Sequence, residues 1–246
     1  MLANRSNSSN VLRVMGLPVH WRPDYAGWLV DHYRQGHGAQ VVTLNAEMAM
    51  QADRNPNLRN IILEADLVVP DGAGVVLYFR SKGQRIERSP GIELAASVLR
   101  RLSPKESVFF YGGTPGVADR AGAYWQQQLA GLNLVGTQHG YLSPEAEPAF
   151  LKHLAALQPS VILVGMGVPR QEFWIQQHRH LCPHSIWIGV GGSLDIWAGV
   201  KSRAPEWMCN NSLEWLYRLY KEPWRWRRML ALPHFAWRSF TYPSRR

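Results

Sequence analysis

A chain of 246 residues with 46% hydrophobic residues can bury a full domain core and is too apolar for a disordered chain. Its formal charge of +9 is uneven: from Lys201 onward ten Lys/Arg face three acids, and five of the eleven tryptophans lie in the same stretch. Two cysteines make no disulfide framework, the polar start lacks the apolar core of a signal peptide, and no run reaches the ~18 apolar residues of a spanning helix; the expectation is a soluble or peripheral protein in a reducing compartment, inside a cell.

Residues 1–10 are polar and expected to be disordered. The next 190 residues alternate two signals. Strand-like runs end in turn residues: VLRVMGLPV, AQVVTLNAE, ADLVVPDGAG, SVFFYGGTPG, LNLVGTQHG, PSVILVGMGVP and SIWIGVGGS. Helical patterns lie between several of them, at 91–102, 116–130, 144–157 and 170–180. The alternation predicts an α/β fold, Rossmann-like, with a largely parallel sheet covered by helices on both faces over residues 11–200. Past Pro205 the pattern changes to APEWMCNNSLEWLYRLYKEPWRWRRMLALP, which reads as two helices in a basic appendage over 201–246. Arg218, Arg225 and Arg228 would share one face if the helix continued past Pro223. The final residues are expected to be disordered. Basic and aromatic together fit an anionic membrane surface or a nucleic acid.

The strand ends carry the chemistry. In TLNAEM, Thr43 and Asn45 offer a hydroxyl and an amide at a strand terminus, or one of them caps the helix starting near Ala46. In PDGAG an acid, Asp71, sits in a glycine turn where a phosphate cradle would want only N–H groups. It is a base, a hydroxyl binder, a cap or a turn residue, and the dinucleotide fingerprint is excluded for want of its third glycine. Arg88 in ERSPG is placed to grip a diphosphate, or is a solvated charge. GMGVPRQE brings Gly165, Gly167 and Gln171 to a helix N-terminus, with Glu172 read as a possible cap. GVGGSLD adds Gly191, Gly192 and Asp195, the last able to accept from ribose or base; Gly112 and Gly113 end a further strand. Two such loops on neighbouring strands suggest a nucleotide pocket. Metal spacing is absent among the nine histidines. Glu64-Ala65-Asp66 precedes its strand and reads as a helix end rather than a metal motif, and no G-x-S-x-G elbow supports a hydrolase.

Taken in order, TLNAEM, ADLVVPDGAGVV, ERSPGIEL, FFYGGTPGVAD, VGTQHGYLSPEAE, VGMGVPRQEFWI, IGVGGSLDIWAG and RAPEWM…LEWLYRLYKEPWRWRR resemble the WecG/TagA/CpsF family, glycosyltransferase family 26, over residues 11–230. The resemblance implies transfer of an N-acetylmannosamine-type sugar from a UDP-sugar to a polyprenyl-diphosphate-linked N-acetylglucosamine, for surface polysaccharide or teichoic acid-type polymers. It further implies an inverting, metal-independent reaction without cofactor at the inner face of the plasma membrane. By position, Asp71 is the general base, with the hydroxyl of Thr43 and Asn45 nearby. Arg88, Gln171 and the appendage arginines Arg218, Arg225 and Arg228 fall to substrate and diphosphate, and Asp195 to uridine. Leu44 and Glu93 depart from the commoner family residues. A homo-oligomer is possible. Two other functions are compatible with the residues: a non-catalytic nucleotide-binding regulator, and a nucleic-acid binder through the tail. The second is disfavoured because the tail holds no known module.

Overall fold

A computed structural model describes residues 10–211 and 213–243, without the side chains of Asn10 and Arg225. The disorder expected over residues 1–10 falls on residues outside this description, except that Asn10 already opens the first strand. The first strand-like run is not one strand. Met15 and Gly16 take φ values of 51° and 74°, and the chain reverses between β1 (Asn10–Val14) and β2 (Leu17–Trp21), which pair antiparallel. Two consecutive left-handed residues make the tight turn of a hairpin.

The chain continues through α1 (Tyr25–Arg34), β3 (Ala39–Leu44), α2 (Ala46–Arg54), α3 (Pro56–Glu64), β4 (Leu67–Pro70), α4 (Ala73–Ser81), α5 (Gly91–Leu99), β5 (Ser107–Gly112) and α6 (Val117–Gln128). Next come β6 (Asn133–Gln138), α7 (Glu147–Leu157), β7 (Val161–Gly165), α8 (Arg170–His178), β8 (Ile186–Gly189) and α9 (Ser193–Trp197). The six later strands form one sheet in the order β4-β3-β8-β7-β5-β6, and every neighbouring pair is parallel. The α/β expectation with helices on both faces is therefore met. Strands buried on both sides need apolar residues at every position, and VILVG of β7 is buried throughout.

Alternation divides the core. Val41, Val69, Leu163 and Ile188 point to one face, where α1, α5, α6 and α9 cover them. Val42, Leu44 and Val68 point to the other, under α2, α3, α4 and the hairpin, and Phe109, Ile162 and Trp187 continue that face under α7 and α8. The chain thus leaves β3 toward one face and leaves the adjacent β8 toward the other. A crevice opens between loops that depart in opposite directions, and it is at such a switch point that open α/β sheets bind ligands.

The C-terminal region is helical: α10 (Glu206–Asn210), α11 (Glu214–Lys221), a 3-10 turn at Pro223–Arg225, α12 (Trp226–Met229) and α13 (Ala231–Thr241). One expectation is corrected here. No continuous helix runs past Pro223: Glu222 takes φ −129° and ψ 72°, the extended conformation imposed by a following proline, so Arg218, Arg225 and Arg228 do not share a helix face. The expected disorder of the final residues bears on 244–246, which lie outside the described residues, while the chain before them is helical up to Thr241. Phe235 of α13 is 2% exposed in the core beneath α2 and α4, and Arg238 holds Asp53 at 2.8 Å. Among the described residues no helix is long and apolar enough to cross a membrane.

Candidate active site

Three neighbouring strand ends build the centre of the crevice. At the end of β3, Thr43 is 7% exposed and its Oγ1 donates to the Gly189 carbonyl of β8 at 3.2 Å. Asn45 caps α2, its Oδ1 accepting from the Met48 N–H at 3.0 Å, so the plainer of its two readings is realised. At the end of β4, the Asp71 and Gly72 N–H groups both donate to Leu44 O, which ties that turn to β3. Gly72 has to be glycine, because a Cβ would lie 2.8 Å from Asn45 Cβ.

Asp71 Oδ1 accepts from the Gly91 N–H, the first of α5, at 2.9 Å. Its carboxylate is thus pinned at a helix N-terminus contributed from twenty residues downstream. Asp71 is half-buried in the wall of the crevice. Burial pushes its pKa above the ordinary carboxylate range, while the Gly91 N–H, the Arg218 charge and Asn45 pull it back. Burial is the largest of these, so Asp71 is a stronger base than a solvated aspartate.

Around Asp71 lies a cavity of about 260 Å³ whose wall includes Thr43, Asn45, Arg88, Gln171, Arg218 and Arg228. A second compartment of about 670 Å³ takes in Gly113, Gly165 and Asp195. Gly167, Gly191, Gly192 and Arg218 belong to both walls, so the two compartments join at the glycine turns of β7 and β8. Gly112 lines neither; with φ at 131°, it packs so closely that a Cβ would collide with the Gly165 backbone. Asp195 pairs with Lys201 at 3.5 Å.

Gln171 is buried and fully engaged. Its Nε2 donates to Glu172 Oε1 at 2.8 Å and its Oε1 accepts from the Gly191 N–H at 3.0 Å, so it braces the second glycine loop against the first. Glu172 does not cap the helix. It is 2% exposed, its Oε2 has no partner among the described residues, and burial pushes its pKa up to about 7.

The cationic side chains arrive already paired. Arg88 donates to Glu214 at 2.9 Å, Arg218 lies 3.8 Å from the same carboxylate, and Arg228 holds Glu47 at 2.8 Å. Arg225 was expected alongside them, but its side chain lies outside the described residues. Trp207 is 61% exposed and Leu216 44%, while Arg218 and Arg228 turn toward the cavity. Among the described residues no three His, Cys, Asp or Glu side chains gather where they could hold a metal ion. Asp66 instead serves structure at the end of α3, accepting from the Gln40 N–H at 2.8 Å and pairing with Arg179 at 2.9 Å.

Residues 12–246 match the model of the Glycosyl transferase WecG/TagA/CpsF family. The chain belongs to this family. A relative from Bacillus spizizenii (strain ATCC 23059 / NRRL B-14472 / W23), the N-acetylglucosaminyldiphosphoundecaprenol N-acetyl-beta-D-mannosaminyltransferase, is 36% identical over 204 residues, 82% of this chain and 79% of the relative. A protein of the same name from Bacillus subtilis (strain 168) is 33% identical over 215 residues, 86% of this chain and 83% of that protein.

Within this WecG/TagA/CpsF chain, two acids of the site escaped the sequence reading. Glu214 knits Arg88, Arg203 and Arg218 together across the junction of core and appendage, and Glu47 receives Arg228. Glu47 stood inside the TLNAEM motif, so its place at a strand end was a signal. Glu214 had none, since its partner Arg88 lies 126 residues away.

Proposed function

We propose that the protein is an inverting, metal-independent transferase. It moves an N-acetylmannosamine-type sugar from a UDP-sugar to a polyprenyl-diphosphate-linked N-acetylglucosamine, at the inner face of the plasma membrane and in the assembly of a surface polymer. The observation that carries the reading is the Asp71 carboxylate, held on the α5 N-terminus in a cavity that opens into the glycine turns. The relatives' names supply the sugar and the acceptor.

The glycine compartment takes the nucleotide, where backbone amides approach the diphosphate and Asp195 meets the uridine side. Asp71 accepts the proton of the acceptor hydroxyl as that oxygen attacks the anomeric carbon. The bond from that carbon to the β-phosphate oxygen breaks on the opposite face, so the configuration inverts and UDP leaves with the electron pair. Its growing negative charge is met by Arg88, Arg218 and Arg228, whose planar forks suit phosphate. Because Glu214 and Glu47 pair with these arginines, an incoming diphosphate takes the place of those carboxylates. Thr43 and Gln171 keep the β3, β7 and β8 loops in register. The basic, tryptophan-bearing appendage lies against the anionic leaflet from which the acceptor is drawn.

The experiment is a donor screen. Purified protein is incubated with a short-chain polyprenyl-diphosphate N-acetylglucosamine and a panel of UDP-sugars, with and without chelator, while UDP release is followed. The expected result is release that requires the acceptor and UDP-N-acetylmannosamine and survives chelation. UDP binding with no release from any donor would instead mark a non-catalytic nucleotide module.

A further inference from the structure

On the far side of Arg88 lies a larger groove, about 1110 Å³, walled by the end of β2, the start of α1, the segment 83–89 and the flank of α5. We propose that this groove, through Arg22, Arg80 and Arg85, seats the diphosphate of the lipid-linked acceptor while the acceptor sugar reaches Asp71. The assignment rests on the transferase reading above.

Charge is the first ground. Five arginines and three acids line the groove. Arg101 is paired with Asp24, Glu93 with Arg203 and Arg88 with Glu214. Among the described residues no ion pair involves Arg22, Arg80 or Arg85, which stand against Glu87 alone and leave the groove cationic. The cavity at Asp71 is the opposite case, for Arg88, Arg218 and Arg228 each face a carboxylate there. A diphosphate that must be held before any leaving-group charge develops finds its unpaired cations in the groove.

Arg22 is the second ground. Its guanidinium lies 4.1 Å from the centre of the Trp28 ring, which fixes its plane, and its Nε is buried with no acceptor among the described residues. A buried guanidinium N–H without an acceptor is destabilising, and an oriented one is ready for an oxyanion.

Position is the third. The glycine compartment joins the Asp71 cavity at Gly167, Gly191, Gly192 and Arg218, and the Asp71 cavity meets the groove at Arg88. The three spaces therefore run in series: nucleotide, reacting centre, cationic groove. An inverting transfer needs the acceptor to approach from the side opposite the leaving group, so the acceptor's own diphosphate lies beyond Asp71, away from UDP. The segment that separates the last two spaces is anchored beside the base, the Ser89 N–H donating to the Pro70 carbonyl at 2.8 Å.

The test compares wild type with Arg22→Gln/Arg80→Gln/Arg85→Gln and with the milder Arg80→Gln/Arg85→Gln, whose two sites are exposed. Acceptor and donor KM are measured together with calorimetric binding of pyrophosphate and of UDP. The expected result is an acceptor KM raised about tenfold or more in the triple variant and less in the double, with donor KM and UDP affinity within about twofold of wild type. An unchanged acceptor KM overturns the assignment, as does an equal loss for donor and acceptor. If wild type transfers no sugar, the transferase reading fails separately and pyrophosphate decides the groove. Binding lost in the triple variant supports a diphosphate seat, and binding unchanged removes it.

Discussion

Asp71 combines two opposing influences. The N–H at the head of α5 favours its charged form and burial disfavours it, with burial the larger. Its raised pKa places the loss of base function above the ordinary aspartate value of about 3.9. The acidic limb of the kcat/KM profile is therefore expected to bend above that value. Asp71→Asn is expected to abolish the limb and lower turnover by ~10²–10⁴-fold while UDP affinity is kept. A variant with wild-type turnover would remove Asp71 from the mechanism. Glu172 makes a second prediction. Its folded-state pKa of about 7 lies above the unfolded value near 4.5, so the folded protein binds more protons between those two pH values. Stability from this group is present below about pH 4.5 and is lost as pH rises through 7. Glu172→Gln removes the charge and keeps an acceptor for Gln171. Its melting temperature relative to wild type is expected to rise between pH 5 and pH 8, and a gap independent of pH would show that Glu172 ionises without cost.

At the scale of elements, α13 explains how a highly charged C-terminal region stays attached. One aromatic anchor, Phe235, enters the core beneath α2 and α4, and the Arg238–Asp53 pair at 2.8 Å sits at the edge. An exposed ion pair is worth little, whereas truncating a buried phenylalanine costs about 3–5 kcal/mol. Phe235→Ala is thus expected to release α13 and open the 226–243 region to limited proteolysis, while Arg238→Gln leaves the digestion pattern nearly unchanged. Equal sensitivity of the two variants would show that α13 is held by charge. The strands and the helices α5 to α8 were legible in the sequence because buried parallel strands read as apolar runs closed by glycine. The hairpin was less so: VLRVMGLPV is apolar throughout, and only the left-handed conformations at Met15 and Gly16 divide it. The order in which the strands pair is not written in any one of them.

At the scale of the molecule, the outer surface of the appendage is aromatic and basic. Tyr220 is 77% exposed, Trp224 73% and Trp237 75%, all within the segment that carries most of the positive charge. Tryptophan and tyrosine favour the headgroup region, and each Lys/Arg near an anionic leaflet adds about 1 kcal/mol. Co-sedimentation with vesicles containing phosphatidylglycerol is expected to exceed that with neutral phosphatidylcholine vesicles and to weaken with salt. It is expected to fall when Trp224 and Trp237 are both changed to Ser. Binding indifferent to lipid charge and to the tryptophans would leave this surface without a membrane role.

What the sequence by itself determined follows from local chemistry. Apolar runs ending in glycine imply buried strands with ligand-ready turns, and an acid in one such turn marks a place where charge is kept at a cost. The ordered motifs pointed to the family. The tertiary structure decided which of these groups meet. It put the Gly91 N–H on Asp71, the Thr43 hydroxyl on Gly189 and the Gln171 carboxamide between Glu172 and Gly191. It also broke the appendage helix at Pro223, yet brought Arg218 and Arg228 to one cavity from separate elements. The physical reason is range. Hydrophobic periodicity and turn chemistry act within a few residues, whereas an ion pair such as Arg88–Glu214 depends on where the whole chain has carried its two ends.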